Sequence, residues 1–262
     1  MPDRLPATSE SSGAGLRPHT PLPEYYADEA EHRRFLRRIF DETASDYDRM
    51  DRVLAFGRGR WYRRQALLRA GLVPGMHVVD VGCGTGLLAR EALRLTGPAG
   101  SLVGVDPSPG MMAQAHLADA GHAELLEGRA ECIPRPAASA DFLSLGYALR
   151  HIDDVDAALT EFKRVLRPGG RLLILEITRP ASRTGLALLK AYMHTVVPLL
   201  ARVVARRQDT ALLYRYYWDT IEACIEPAVL LAALERHGFA EVRRHVELGI
   251  FTEITARVPL PG

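Results

Sequence analysis

Only three cysteines, Cys83, Cys132 and Cys224, occur in 262 residues, too scattered for a disulfide framework or a closed zinc site. A reducing, cytoplasmic setting is the expectation. Net charge is nearly absent too. Lys plus Arg number 33 against 32 Asp plus Glu, so no global field draws the chain to nucleic acid. The amino terminus shows no apolar export signal. It scatters Pro2, Pro6, Pro18, Pro21 and Pro23 among Ser, Gly and Thr, and residues 1–28 read as a disordered leader. The most membrane-like stretch, 191–201, holds eleven uncharged residues between Lys190 and Arg202, well short of the roughly 18 that a span needs. A soluble protein is expected.

What is present is an ordinary globular balance of 47% apolar and 25% charged residues. Residues 29–43 and 59–71 carry helical spacing. From residue 76, strand-like runs (76–82, 101–106, 141–149, 171–177) alternate with helical ones (87–95, 108–119, 154–166). Alternation of this kind makes an α/β fold with a doubly wound, Rossmann-like, mostly parallel sheet. Residues 182–206 and 209–223 are two helical stretches with no strand between, a helical insertion at about 182–223, and Pro198 should kink or break the first. A helix at 227–238 follows. Two β runs within 241–258, turning at Leu248-Gly249, then end the sheet in an antiparallel hairpin. Residues 29–262 read as one domain.

The strongest local feature is VVDVGCGTGLLAR, residues 78–90. A strand runs into Gly82, Gly84 and Gly86 and then a helix, which lets backbone approach a ligand beside a helix N-terminus. Twenty-four residues after Gly82, Asp106 ends the next strand, where an acid accepts two ribose hydroxyls. Loop plus acid points to an adenosine cofactor. Its sixth position is Leu87 rather than the Gly or Ala of a dinucleotide fingerprint, and no Gly-Lys-Ser/Thr follows. Asp80, two residues before the loop, disfavours a pyrophosphate. S-adenosylmethionine carries an ammonium, a sulfonium and no phosphate, so it suits these acids.

These residues resemble a family. VVDVGCGTG, GVDPSPGMM (104–112), GRAECIP (128–134) and FKRVLRPGGRLLILEITRP (162–180) resemble the motifs of class I S-adenosylmethionine-dependent methyltransferases. FDETASDYDRM (40–50), AFG (55–57), YALRHIDD (147–154) and YRYYWDTI (214–221) are similar to segments of the ubiquinone/menaquinone-biosynthesis C-methyltransferases. The likeness runs from residue 35 to 257. It implies that the segment of Tyr47 folds over the donor's methionine end, and that Pro107, Ser108, Met111, Ala130 and Glu131 join Asp80 and Asp106 around the donor. Arg129 stands where many such enzymes hold the adenine amino group with an acid, which leaves that role to the Ala130 backbone. The resemblance also implies a functional arginine at Arg150. His151 replaces the family's Asn, Trp61 is an extra residue between Arg60 and the aromatic Tyr62, and Glu222 replaces an Arg.

Methyl transfer from a sulfonium is an in-line displacement, so the protein chiefly holds nucleophile and methyl in line. A phenol or enol carbon also needs its hydroxyl proton removed or its charge stabilised. Just past the fourth strand, His151 suits the base and Arg150 the stabiliser; alternatively both form a solvated cap facing Asp153 and Asp154. Phe56, Arg60, Trp61 and Tyr147 read as acceptor walls or plain core. Tyr214, Tyr217 and Trp218 share one helix face, either a lid over a flat ring or packing. Met193, Val196, Val197, Leu199 and Leu200 would line a route for an apolar tail, with Arg202, Arg206 and Arg207 meeting anionic headgroups. His77, His194 and His245 lack metal-ligand spacing, so no metal is expected.

The expectation is an S-adenosylmethionine-dependent methyltransferase acting on a small aromatic acceptor, most simply a quinol- or phenol-like ring carbon. A lipid headgroup amine or another natural-product O or N atom is the alternative. A nicotinamide oxidoreductase and a donor-binding protein without transferase activity also stay open. LGYALRH stands where base amino-methylating enzymes carry Asn/Asp-Pro-Pro-Tyr, which argues against nucleic acid. Peripheral contact with the inner face of the membrane and a homodimer are both compatible with the sequence.

Overall fold

Valine and leucine at every second position give the central strands two apolar faces. Val78 in β1 (His77–Val81), Leu102 in β2 (Ser101–Asp106) and Phe142 in β4 (Ala140–Gly146) join Leu67, Leu88 and Ala89 of α2 (Gly59–Arg69) and α3 (Leu87–Thr96) in one core. Val79, Val81, Val103, Leu143 and Leu145 point the other way, onto Leu159 and Phe162 of α5 (Val155–Val165) and Leu230 and Leu234 of α9 (Pro227–Arg236). Burial on both faces is what a parallel strand requires. The computed structural model describes residues 15–117, 122–205 and 209–261.

The seven strands run in the order β3-β2-β1-β4-β5-β7-β6, with β3 at Ala123–Glu127, β5 at Leu166–Ile177, β6 at Ala240–Glu247 and β7 at Phe251–Arg257. All neighbours are parallel except β7, which is antiparallel to both β5 and β6. The closing hairpin turns at Leu248 (φ 52) and Gly249 (φ 74), and the Ile250 N–H bonds back to the Glu247 carbonyl. Two central residues of positive φ suit the twist of the flanking strands. Because β1 pairs with both β2 and β4, the chain reverses direction there, and a crevice opens over the carboxyl ends of these strands.

A third core roofs that crevice. Phe35, Ile39 and Met50 of α1 (Glu29–Leu54) pack with Val197 and Ala201 of α7 (Val197–Val204) and with Leu213, Tyr214 and Tyr216 of α8 (Thr210–Ala223). α1 starts at a reciprocal cap: Asp28 accepts from the Glu31 N–H, and the Glu31 carboxylate accepts from the Ala27 N–H.

Several expectations need correction. Residues 15–28 of the supposed leader pack on the domain: the Leu16 N–H donates to Asp156 at 3.0 Å, and the Ile225 N–H to the Pro18 carbonyl at 2.8 Å. Residues 1–14, like Arg206 and Arg207, lie outside the described residues. α1 continues through 44–54, whereas the helix expected at 108–119 is the five-residue α4 (Pro109–Ala113), capped by Ser108. β4 stops at Gly146, because Tyr147 takes φ 59 and residues 149–151 form a 3₁₀ turn. Pro198 does not break its helix: it stands in the first turn of α7, which a π turn, Tyr192–Val196, joins to α6 (Arg183–Ala191).

Candidate active site

Three glycines in left-handed backbone, Gly82 (φ 63), Gly84 (φ 54) and Gly86 (φ 78), fold the β1–α3 loop along the floor of a cavity of about 380 Å³. At Gly82 a side chain is excluded outright, since a Cβ there would lie 2.6 Å from that of Ala148. The floor is acidic. Asp106, at the end of β2, accepts from the Gly84 and Ser108 N–H groups, both at 2.8 Å. Asp80 lies beneath the loop and accepts from the Ser144 hydroxyl of β4. Burial pushes the Asp80 carboxyl up to about 7 and that of Asp106 up to about 6. Each Asp106 oxygen spends one lone pair on the loop, which leaves acceptor capacity for two hydroxyls. Pro107, Ser108, Met111, Ala130 and Glu131 also line the cavity, although Glu131 accepts from the Asp153 N–H at 2.6 Å.

α1 closes the roof through two acids seven residues apart. Asp41 accepts from the Gly110 N–H at 2.8 Å and from the Ser108 hydroxyl. Asp48 accepts from the Thr85 hydroxyl and pairs with Arg90 at 2.8 Å. At the mouth, Arg33 and Arg129 both reach Asp153 at 3.1 Å, and Arg37 reaches Glu127 at 3.1 Å.

Away from the acids the walls turn aromatic. Phe40, Tyr47, Tyr147, His151 and Tyr217 line this end. The His151 ring stacks on Tyr217 at 5.5 Å and on Tyr216 at 5.6 Å, and meets Phe40 edge-on at 5.3 Å. Among the described residues, neither of its ring nitrogens has a hydrogen-bond partner. Burial, and then the Arg150 charge, hold its pKa well below the usual 6.5, so the ring is neutral. Tyr47 meets Tyr217 hydroxyl to hydroxyl at 3.3 Å. Burial pushes the phenols of Tyr47, Tyr147 and Tyr217 upward, so all three stay protonated. Arg63 of α2 completes the chamber, with its guanidinium 5.9 Å from the Tyr147 ring centre and two of its N–H groups on Asp51.

Other expected acceptor residues lie elsewhere. Phe56 is 82% exposed and Trp61 is also exposed, while Arg60 pairs with Glu91 at 2.8 Å; none of the three lines the cavity. Tyr214 packs edge-on behind Tyr217, and Trp218 donates to Glu222 at 3.2 Å, so of the α8 aromatics only Tyr217 reaches the chamber. Met193, Val196, Val197, Leu199 and Leu200 do not line it either. Arg150 stands just outside, buried against Glu176 with its guanidinium 5.0 Å from the Tyr217 ring centre. Phe40 and Arg63 escaped the sequence reading, yet each left a signal. Arg33, Leu36, Arg37, Phe40 and Tyr47 follow helical spacing along one face of α1, and Arg63 interrupts the apolar stripe of Tyr62, Ala66 and Leu67.

Comparison with known proteins identifies this arrangement. The model of the ubiE/COQ5 methyltransferase family matches residues 27–255. The chain belongs to this family. It is 33% identical over 206 residues to the ubiquinone/menaquinone biosynthesis C-methyltransferase UbiE of Hahella chejuensis, covering 77% of this chain and 82% of that protein. It is 29% identical over 238 residues to UbiE of Pseudomonas aeruginosa strain LESB58, covering 89% and 92%. A solved S-adenosylmethionine-dependent methyltransferase from Aquifex aeolicus shares the fold at a TM-score of 0.55 and 21% identity, over 75% of this chain and 89% of that one. This ubiE/COQ5 member is therefore an S-adenosylmethionine-dependent methyltransferase.

Two results follow for its donor. Asp106→Ala is expected to weaken S-adenosylmethionine binding by about 1.5–3 kcal/mol in calorimetry, the range for hydrogen bonds to a charged group. An unchanged dissociation constant would refute the ribose assignment. On the same assignment affinity should also fall as pH drops, because only an ionised carboxylate can accept from two hydroxyls at once and attract a cationic donor. With Asp80 titrating at about 7 and Asp106 at about 6, both acids take up protons over this range, and binding is expected to be about tenfold or more weaker at pH ~5 than at pH ~7. A flat profile over that range would refute it.

Proposed function

We propose that this methyltransferase methylates a ring carbon of a quinol- or phenol-like acceptor seated among Phe40, Tyr147 and Tyr217. The observation that carries the reading is His151, a neutral imidazole with two unpartnered nitrogens at the edge of an aromatic chamber. A flat hydroxylated ring satisfies both features, since its faces stack and its hydroxyl meets the imidazole. The names of the UbiE relatives support the same substrate class.

In this reading S-adenosylmethionine supplies an electrophilic methyl group, held by the glycine loop, Asp106 and the Ala130 backbone. His151 takes the hydroxyl proton, which raises electron density on the ring carbon beside it. As that carbon takes the methyl group and the donor's methyl–sulfur bond breaks, the proton on the same carbon leaves and the ring regains its hydroxyl and aromaticity. Arg63 has three N–H groups beyond the two on Asp51, and these stabilise the developing negative charge. Arg150 is a positioning residue. Paired with Glu176, it sets the Tyr217 ring that forms a chamber wall. Three free thiols, Cys83, Cys132 and Cys224, support a reducing, cytoplasmic setting.

The test is incubation of the enzyme and donor with hydroquinols that lack a ring methyl, followed by mass spectrometry and proton NMR. The expected product gains one CH₂ and loses a ring C–H signal. A methyl ether, or methylation of amines alone, would overturn the reading.

A further inference from the structure

Between Glu176 and Asp209 the chain contains no acidic residue but six cations: Arg179, Arg183, Lys190, Arg202, Arg206 and Arg207. Across the middle of this segment, α6, the π turn and α7 form one continuous helix, Arg183–Val204, of 22 residues, whose most apolar 18-residue window has a mean hydropathy of 1.3. That is long and apolar enough to cross a membrane by length and composition. Counting only the charge-free run, 191–201, hid this. Yet only 11% of its most apolar window is buried. Leu188 (72% exposed), Leu199 (62%) and Val203 (78%) stand outward, with Leu199 eleven residues after Leu188 and four before Val203. A helix meant to face water places its leucines inward; this one turns Leu200 toward the core of α1 and α8 but leaves Leu188 and Leu199 outside.

The remaining contacts fix how the helix lies. Val197 and Ala201 pack into the core of α1 and α8, Arg49 of α1 donates to the Val204 carbonyl at 2.9 Å, and Lys190 pairs with Glu222 at 3.0 Å. Held along its flank, the helix lies on the protein body instead of projecting from it. Among the described residues, Arg179 pairs with Glu226 at 3.9 Å and Lys190 with Glu222, so Arg183 and Arg202 carry the unpaired positive charge of this face, and a second copy docked there would add like charge to it. A surface that is both apolar and anionic complements it.

We propose that helix Arg183–Val204 is the face on which this enzyme rests on an anionic lipid bilayer, with its outward side chains in the headgroup–acyl boundary. The inference does not depend on the ring-carbon reading, because it draws on a surface outside the cavity. The geometry also joins the two. α7 packs on α1 and α8, the helices that carry Phe40, Tyr47 and Tyr217, so the bilayer face adjoins the chamber wall.

Sedimentation of the full chain with phosphatidylglycerol-containing vesicles tests it. Binding is expected at low salt, lost at high salt, and absent with phosphatidylcholine alone. The triple variant Leu188→Ser, Leu199→Ser, Val203→Ser should lose about tenfold or more in vesicle partitioning, because insertion of apolar area supplies much of the binding. Its donor affinity should be unchanged, which shows that the fold is kept. Failure of the native chain to sediment at low salt would overturn the proposal. So would full binding by the serine variant, which would reduce the contact to charge alone. A dimer of the native chain in light scattering, abolished by the same variant, would assign the face to a second copy and likewise overturn it.

Discussion

Replacing Arg150 by methionine is expected to destabilise the fold by about 3–5 kcal/mol, measured as a drop in the urea midpoint at constant slope. Arg150 and Glu176 are both almost fully buried and pair with each other, 26 residues apart in sequence, behind the chamber. Removing the cation leaves a carboxylate without its counter-charge in a site that water does not reach. Removing both is different. Arg150→Met with Glu176→Leu should recover most of the loss, since an apolar pair of similar volume avoids both desolvation costs. Turnover should remain depressed in the double variant, because the guanidinium beside the Tyr217 ring is gone, while donor affinity stays near normal. A single variant of native stability that has lost turnover would place Arg150 on the substrate instead, as the sequence reading had it.

Arg150 and the glycine loop differ in how much of their surroundings the local sequence shows. Gly82, Gly84, Gly86 and Asp106 were legible because their chemistry is local: left-handed backbone needs glycine, and a strand end must meet the ligand at the carboxyl edge. Arg150 looked free because its partner lies on β5, and nothing in YALRHIDD names Glu176. Phe56 and Trp61 misled for the converse reason. An aromatic residue near a motif suggests a pocket wall, but which way it faces is decided by tertiary packing, and here both face solvent. β3 went unread because Ala-Glu-Leu-Leu-Glu lacks β-branched residues and alternation, as an edge strand with a single parallel neighbour allows. Residues 15–28 looked like part of a leader by composition alone. Hydrogen bonds to Asp156 and Ile225, more than 130 residues away, hold them on the domain.

His151 offers a sharper test, because its variant should become more stable while losing activity. His151→Phe keeps the stacking on Tyr216 and Tyr217 and the edge contact with Phe40. It removes two buried ring nitrogens that have no partner among the described residues, and each such group costs on the order of 1–3 kcal/mol. The variant should therefore unfold at higher urea. Its kcat should fall about 10²-fold, the lower end for loss of a positioned general base. The pH dependence separates this residue from Asp106. A base is active when deprotonated, so the acidic limb of kcat follows the imidazole, and burial beside Arg150 moves that limb well below pH 6.5. The acidic limb of donor affinity follows Asp80 at about 7 and Asp106 at about 6 and should survive in His151→Phe. At saturating donor, the variant's residual kcat should lose its own acidic limb. A stabilised variant with native kcat would show that the unpartnered imidazole plays no part in proton transfer, and that chamber shape and donor alignment alone drive the reaction.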